Sequence, residues 1–210
     1  NGRSSMIGSM LQLSAVEKFY GSIDHGVQAV KNFSMNVEKG EIIALLGSSG
    51  CGKTSTLRMI AGFESVSRGE IFIAGREVQN LPPVKRNVAM AFEGYSLYPT
   101  VNVRDNIAFG LRRMKLDRTE KDRRIEKALT MMGLADFHDV YPSQLSEGMR
   151  QRVCIARTLV TEPRLILLDE PFAGVDPIAV LDIQRIIRFL KERGIGVLIT
   201  DHNVRETLGI

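Results

Sequence analysis

Apolar and polar residues alternate over 11–16 and again over 27–37, the period of half-buried antiparallel strands. Residues 42–46 break that alternation. Ile-Ile-Ala-Leu-Leu is a continuous apolar run, and it predicts a strand covered on both faces. A glycine-rich turn follows, then a helical pattern to about Ala61, and residues 69–75 predict another short strand. Between 100 and 160 apolar positions recur at helical spacing. Thr119 with Asp122 has the form of a capping box, Ile125, Ala128, Leu129 and Met132 share one face, and Gly133 ends that helix. Ser146 can cap a second helix running to about Val160. After Pro163 the buried-strand pattern returns at 165–168. Asp176-Pro177 then offers a cap and a first-turn proline for a helix to about Arg193. Its face is Val180, Leu181, Ile183, Ile186, Ile187 and Leu190. Gly194 breaks it, and 197–200 is the next strand. Strand–helix alternation at both ends predicts an α/β fold with a mostly parallel sheet, an antiparallel β portion and a helical insertion.

Composition narrows the class. The 210 residues are 44% hydrophobic and 25% charged, a globular balance that excludes disorder and collagen-like repeats. Residues 1–9 read as a linker-like cloning scar ahead of one domain over 10–210. No apolar run approaches the roughly 20 residues that span a bilayer, and no 7–15-residue apolar stretch marks a signal peptide. Two cysteines, Cys51 and Cys154, give no disulfide framework, so a reducing cytoplasm is expected. The net charge of +4 sits entirely in 111–127, which hold eight Lys/Arg and four acids. Interspersed signs predict a solvated helix face, not a nucleic-acid surface.

Chemistry concentrates in two places. Gly47-Ser48-Ser49-Gly50-Cys51-Gly52-Lys53-Thr54 fits G-x-x-x-x-G-K-[ST] between a buried strand and a helix, a pattern that chance supplies in about 1% of chains this long. Its glycines let successive amides curl inward around a phosphate, and the helix N-terminus adds positive potential. Lys53 can reach the β- and γ-phosphates, and the Thr54 hydroxyl can bind Mg²⁺. The second place is the end of the 165–168 strand, where Asp169 and Glu170 arrive at the carboxyl edge of the sheet. Asp169 can hold Mg²⁺ through water. Glu170 can deprotonate the water that attacks the γ-phosphorus.

With these motifs in place, residues 11–208 resemble the nucleotide-binding subunit of an ATP-binding-cassette (ABC) transporter. The most specific likeness is Leu145-Ser146-Glu147-Gly148-Met149-Arg150-Gln151-Arg152, similar to the family's L-S-G-G-Q signature. The resemblance implies a P-loop core over 10–92 and 161–210 that includes the antiparallel β subdomain. A helical subdomain over 93–160 would carry the signature. It implies ATP and Mg²⁺ as ligands, Ser55 beside the phosphates, and Ser146, Glu147 and Gly148 facing the ATP of a second copy. Tyr20 matches the aromatic that stacks on adenine, Asp176 the acidic D-loop residue of the dimer interface, and His202 the switch histidine near the γ-phosphate. A homodimer on ATP binding, transmembrane permease partners docking near 93–111, and a location on the inner face of the membrane follow from the same likeness, with no nucleic acid.

Two residues depart from the family pattern. Glu93 stands at the lid position that reaches metal and water, where the family has glutamine. Glu147 replaces the first signature glycine. A like-charge contact at ~4 Å and an effective dielectric near 20 costs up to about 4 kcal/mol, so both substitutions point to slowed hydrolysis unless Arg150 or Arg152 pairs with Glu147. A hydrolysis-impaired binding module, or a soluble non-transport ATPase of this family, are the alternative readings. Residues 85–113 resemble ATPases of sugar and polyamine importers and 169–208 the lipopolysaccharide-export ATPase, the split a chimera joined near 169–171 would show. The family normally adds strands after the switch histidine, so the last sheet edge is expected to be incomplete.

Overall fold

In the computed structural model, residues 9–21, 25–92 and 97–202 are described. Two four-stranded sheets organise the chain. β1 (Ser9–Tyr20), β2 (Val27–Glu38), β4 (Arg68–Ile73) and β5 (Arg76–Glu77) form an antiparallel sheet in the order β2-β1-β4-β5. β3 (Ile42–Leu46), β6 (Val88–Ala91), β7 (Leu165–Asp169) and β8 (Gly196–Asp201) form a wholly parallel sheet in the order β3-β8-β7-β6. The helices are α1 (Lys53–Ala61), α2 (Val103–Ala108), α3 (Arg118–Met131), α4 (Glu147–Leu159) and α5 (Pro177–Glu192).

Burial follows position in the sheet. β7 and β8 each have two strand neighbours, and every residue of both is buried. β3 pairs only with β8 among the described residues. Ile42 packs against one core and Ile43 and Leu45 against the other, so both its faces are covered, but the open edge leaves the strand half-buried. The apolar run thus marks a strand covered on both faces, as expected, and its partial exposure comes from the edge. β6 escaped the periodicity because Val-Ala-Met-Ala is short and does not alternate.

Two apolar cores sandwich the parallel sheet. Leu165, Leu167 and Leu198 face α1 and the antiparallel sheet, while Ile166, Leu168, Val197 and Ile199 face α2, α3, α4 and α5. Alternating strand residues thus enter opposite cores, as the period of two requires.

Helix ends show where local rules compete. Ser146 caps α4 through Met149 N at 3.3 Å, and Asp176 caps α5 through Ile178 N and Ala179 N, both at 3.0 Å. At α3 the cap is Asp117, whose Oδ1 accepts from Glu120 N at 2.8 Å, not Thr119. Asp117 holds the extended backbone an N-cap needs. Asp122 is engaged instead with Arg104 at 2.8 Å and Arg118 at 3.8 Å. The basic segment is laced with ion pairs: Arg123 and Arg124 reach Glu120, and both reach Glu162. This is the solvated face that the mixed signs predicted.

Candidate active site

The loop after β3 is built around glycines in left-handed backbone. Gly52 sits at φ +92°, where a Cβ would lie 2.3 Å from Ala29 O, so the close approach of β2 to the loop requires glycine. Gly50, at φ +80°, turns the chain just before it. Lys53 is the first residue of α1 and is buried. Its Nζ donates to Gly47 O at 2.7 Å and Ser48 O at 3.0 Å, and lies 3.9 Å from Cys51 Sγ. The lysine side chain therefore curls into its own loop, with its charge centred among the carbonyls that also shape the turn. Cys51 is exposed. Burial pushes the thiol of Cys154 up to about 11, which makes it an inert core residue.

Strand register joins this loop to the acidic edge. β7 and β8 place Asp169 opposite Thr200, and Thr200 Oγ1 donates to Asp169 Oδ1 at 2.6 Å. The same oxygen accepts from Thr54 Oγ1 at 3.0 Å. Asp169 is buried, yet two hydroxyls serve it. Glu170 takes a left-handed conformation, φ +49°, with its N–H donating to Thr200 O at 2.9 Å. His202 follows β8, and its Nδ1 lies 2.6 Å from Glu170 Oε2. The hydrogen bond to Glu170 and its negative charge hold the imidazole pKa above the ordinary value, with Asp201 adding and Lys53 opposing.

Tyr20 ends β1 at the same cleft. Its hydroxyl lies 2.8 Å from Ser55 Oγ and donates to Glu64 Oε2 at 2.5 Å, with Lys18 Nζ 5.1 Å from the ring centre. Partial burial and the Glu64 contact raise the phenol's pKa. Tyr20 lines a cleft of about 580 Å³ together with Ser49, Gly50, Gly52, Lys53, Thr54, Ser55, Glu170 and His202.

Other expected positions lie elsewhere. Ser146, Glu147 and Gly148 begin α4 and do not line this cleft. A Cβ at Gly148 would meet Ala179 Cβ at 2.4 Å, so glycine lets α4 start close against α5. Glu147 is ion-paired with Arg150, while Arg152 donates to Met132 O at 3.2 Å. Asp176 acts as the α5 cap. Glu93 lies outside the described residues. Sequence reasoning missed the Thr200 hydroxyl, Glu64 on Tyr20, and the wall contributed by Val27, Gln28 and Ala29. Thr200 carried a signal: it is a polar residue closing an apolar strand.

A glycine loop at a helix N-terminus after β3, facing paired acids at the carboxyl end of β7 in the same parallel sheet, defines a P-loop nucleotide-binding α/β protein. The family described as "ABC transporter" matches residues 30–173, and the chain belongs to it. It is 41% identical over 201 residues to a spermidine/putrescine import ATP-binding protein, PotA, of Bacteroides fragilis, covering 95% of this chain and 43% of that protein. It is 47% identical over 186 residues to the lipopolysaccharide export system ATP-binding protein LptB of Acidithiobacillus ferridurans, covering 86% and 76%. The chain thus spans less than half of the PotA relative. Among solved structures, cbiO1 from Clostridium perfringens, part of the ABC transporter complex cbiONQ, superposes with TM-score 0.84 at 30% identity, over 93% of this chain and 79% of that one. A dimeric ATP-binding cassette in a post-hydrolysis state, bound to ADP and Pi, superposes with TM-score 0.80 at 28% identity, over 94% and 90%.

Proposed function

We propose that this chain binds Mg·ATP in the cleft and hydrolyses it as the ATP-binding subunit of an ABC transporter. The observation that carries the reading is convergence. The Lys53 loop, Glu170 at the end of β7 and His202 at the end of β8 line one cleft, and buried Asp169 backs it through Thr54.

Thr54 and Asp169 present hard oxygen donors 3.0 Å apart, a set that suits Mg²⁺. When bound, the ion would neutralise charge on the phosphate oxygens. Glu93 would lie near it by family likeness. Lys53 exchanges its carbonyl partners for β- and γ-phosphate oxygens, and the loop amides of 47–54 hold the rest of the polyanion. Glu170 Oε2 is occupied by His202, which leaves Oε1 to take the proton of the attacking water. The His202 imidazole would face the γ-phosphate, and its contact with Oε2 steadies the carboxylate. Tyr20 supplies a ring for adenine.

Two copies would sandwich two Mg·ATP. Ser146 and Gly148 of one would face the γ-phosphate held by the other, where the α4 N-terminus offers free N–H groups. The Arg150 partner offsets the extra carboxylate of Glu147, which favours an active enzyme over a binding-only module. Asp176 lies on the same side as α4 through the Gly148–Ala179 contact. Permease subunits would dock near 93–111, where half-exposed Tyr98 and Phe109 stack with ring centres 4.3 Å apart, and would hold the chain at the inner membrane face. Among the described residues no helix is long and apolar enough to cross a membrane. The test is Glu170→Gln: ATP turnover falls by about 10²-fold or more while Mg·ATP affinity is kept. Retained turnover would overturn the assignment.

A further inference from the structure

At the opposite end of the parallel sheet lies a second cavity of about 430 Å³, inside the range of small-molecule sites. Its floor includes Ala128, Leu159 and Val160, which belong to the larger apolar core. Its rim carries Lys127, Glu162 and Arg193.

The charges on that rim are specific. Glu162 adopts a left-handed backbone, φ +51°, that turns its carboxylate toward α3. It pairs there with Arg124 at 3.1 Å and, more distantly, with Lys127 at 3.8 Å. Arg124 is therefore taken, since Glu120 holds it from the other side at 2.7 Å. Arg193, across the cavity on the turn after α5, stacks over Phe189 at 4.2 Å and has no carboxylate partner among the described residues. The cavity thus has an apolar floor and two cations on its rim: Arg193, without a carboxylate partner among the described residues, and Lys127, held only by the 3.8 Å contact to Glu162.

The cavity is also where three functional elements begin or end. α4 runs from the signature residues to Leu159. β7 starts just after Pro163 and delivers Asp169 and Glu170. β8 starts just after Ile195 and delivers Thr200 and His202. A five-residue strand covers about 17 Å, so the cavity floor and the catalytic edge are the two ends of the same short rods.

We propose that this cavity is an effector site for a small amphipathic carboxylate. The carboxylate bridges Lys127 and Arg193, and a short alkyl body lies on Ala128, Leu159 and Val160. Glu162 is a built-in competitor for Lys127. Occupancy shifts the turns that launch β7 and β8 and so alters nucleotide affinity; that last step rests on the nucleotide reading above.

The probe is octanoate, titrated calorimetrically into the full chain without nucleotide. Saturable binding is expected, about tenfold tighter than for octanol or acetate, which lack the charge and the chain respectively. Arg193→Gln and Lys127→Gln each weaken it by about tenfold, and Glu162→Gln tightens it. All three are exposed surface changes, and thermal unfolding confirms that the variants fold. Saturating octanoate then changes Mg·ATP affinity by about twofold or more. No saturation up to about 10 mM, equal binding of octanol, or indifference to both cation variants would overturn the site. Octanoate binding that leaves Mg·ATP affinity unchanged would overturn its effector role. Because the first titration contains no nucleotide, its failure is separable from a failure to bind Mg·ATP.

Discussion

Thr200 is the residue whose role the structure reveals most directly. Its hydroxyl donates to Asp169 Oδ1 at 2.6 Å, with Thr200 fully buried and Asp169 3% exposed. Thr200→Val keeps the shape and deletes the donor. Oδ1 would retain Thr54 at 3.0 Å, and Glu170 N would retain the Thr200 carbonyl at 2.9 Å, because valine preserves both. The loss is the hydrogen bond to the charged Asp169, which contributes about 1.5–3 kcal/mol, together with the longer 3.4 Å contact from Glu170 N to the hydroxyl, whose donor keeps the Thr200 carbonyl. We expect destabilisation near 2 kcal/mol, or a fall in Tm of about 4–8 °C for a chain of this size. Urea and thermal unfolding in parallel give the value. Thr200→Ser keeps the donor and removes only a methyl, so it should lose about 1 kcal/mol. A Thr200→Val loss below about 0.5 kcal/mol, or equal losses for the two variants, would refute the reasoning.

Other outcomes follow from the same contacts. Arg86 is buried with no carboxylate partner among the described residues and donates to Leu81 O, Met59 O, Ile60 O and Gln79 O, so it ties the end of α1 to the turn before β6. Arg86→Met leaves those carbonyls without their donor and should cost about 3 kcal/mol or more by urea unfolding. Gly52→Ala puts a Cβ against Ala29 O and forces alanine into φ +92°; it should cost about 2 kcal/mol or more and abolish nucleotide binding, read by calorimetry. The raised His202 pKa means that its pairing with Glu170 stabilises the fold fully below the ordinary histidine value, about 6.5, and that this contribution is lost as pH rises through the folded-state value. Glu170→Gln should return the imidazole toward the ordinary range in an NMR titration; an unchanged midpoint would sever the link.

The phosphate loop was readable because its chemistry is local. Glycines, Lys53 and Thr54 are adjacent in sequence, and the strand before and helix after them follow from simple periodicity. Asp169, Glu170 and the caps Ser146 and Asp176 were legible for the same reason. What the chain could not reveal on its own was register. Thr200 serves Asp169 only because β7 and β8 align those two positions, and Glu64 meets Tyr20 only because the segment after α1 returns along the end of β1. The cap of α3 went to Asp117, since two neighbouring residues could each begin that helix and only the backbone chooses. The run at β3 told of two covered faces but not of its place at the edge of the described sheet, because hydrophobicity reports faces and says nothing of edges.

The central claim is that the Lys53 loop grips the phosphates of Mg·ATP. Isothermal titration of Mg·ATP into the protein and into Lys53→Ala, each shown to be folded by thermal unfolding, tests it most directly. Saturable binding to the parent and a loss of about 10²-fold or more in the variant are expected. No uptake by the folded parent, or equal affinity in both proteins, would contradict it.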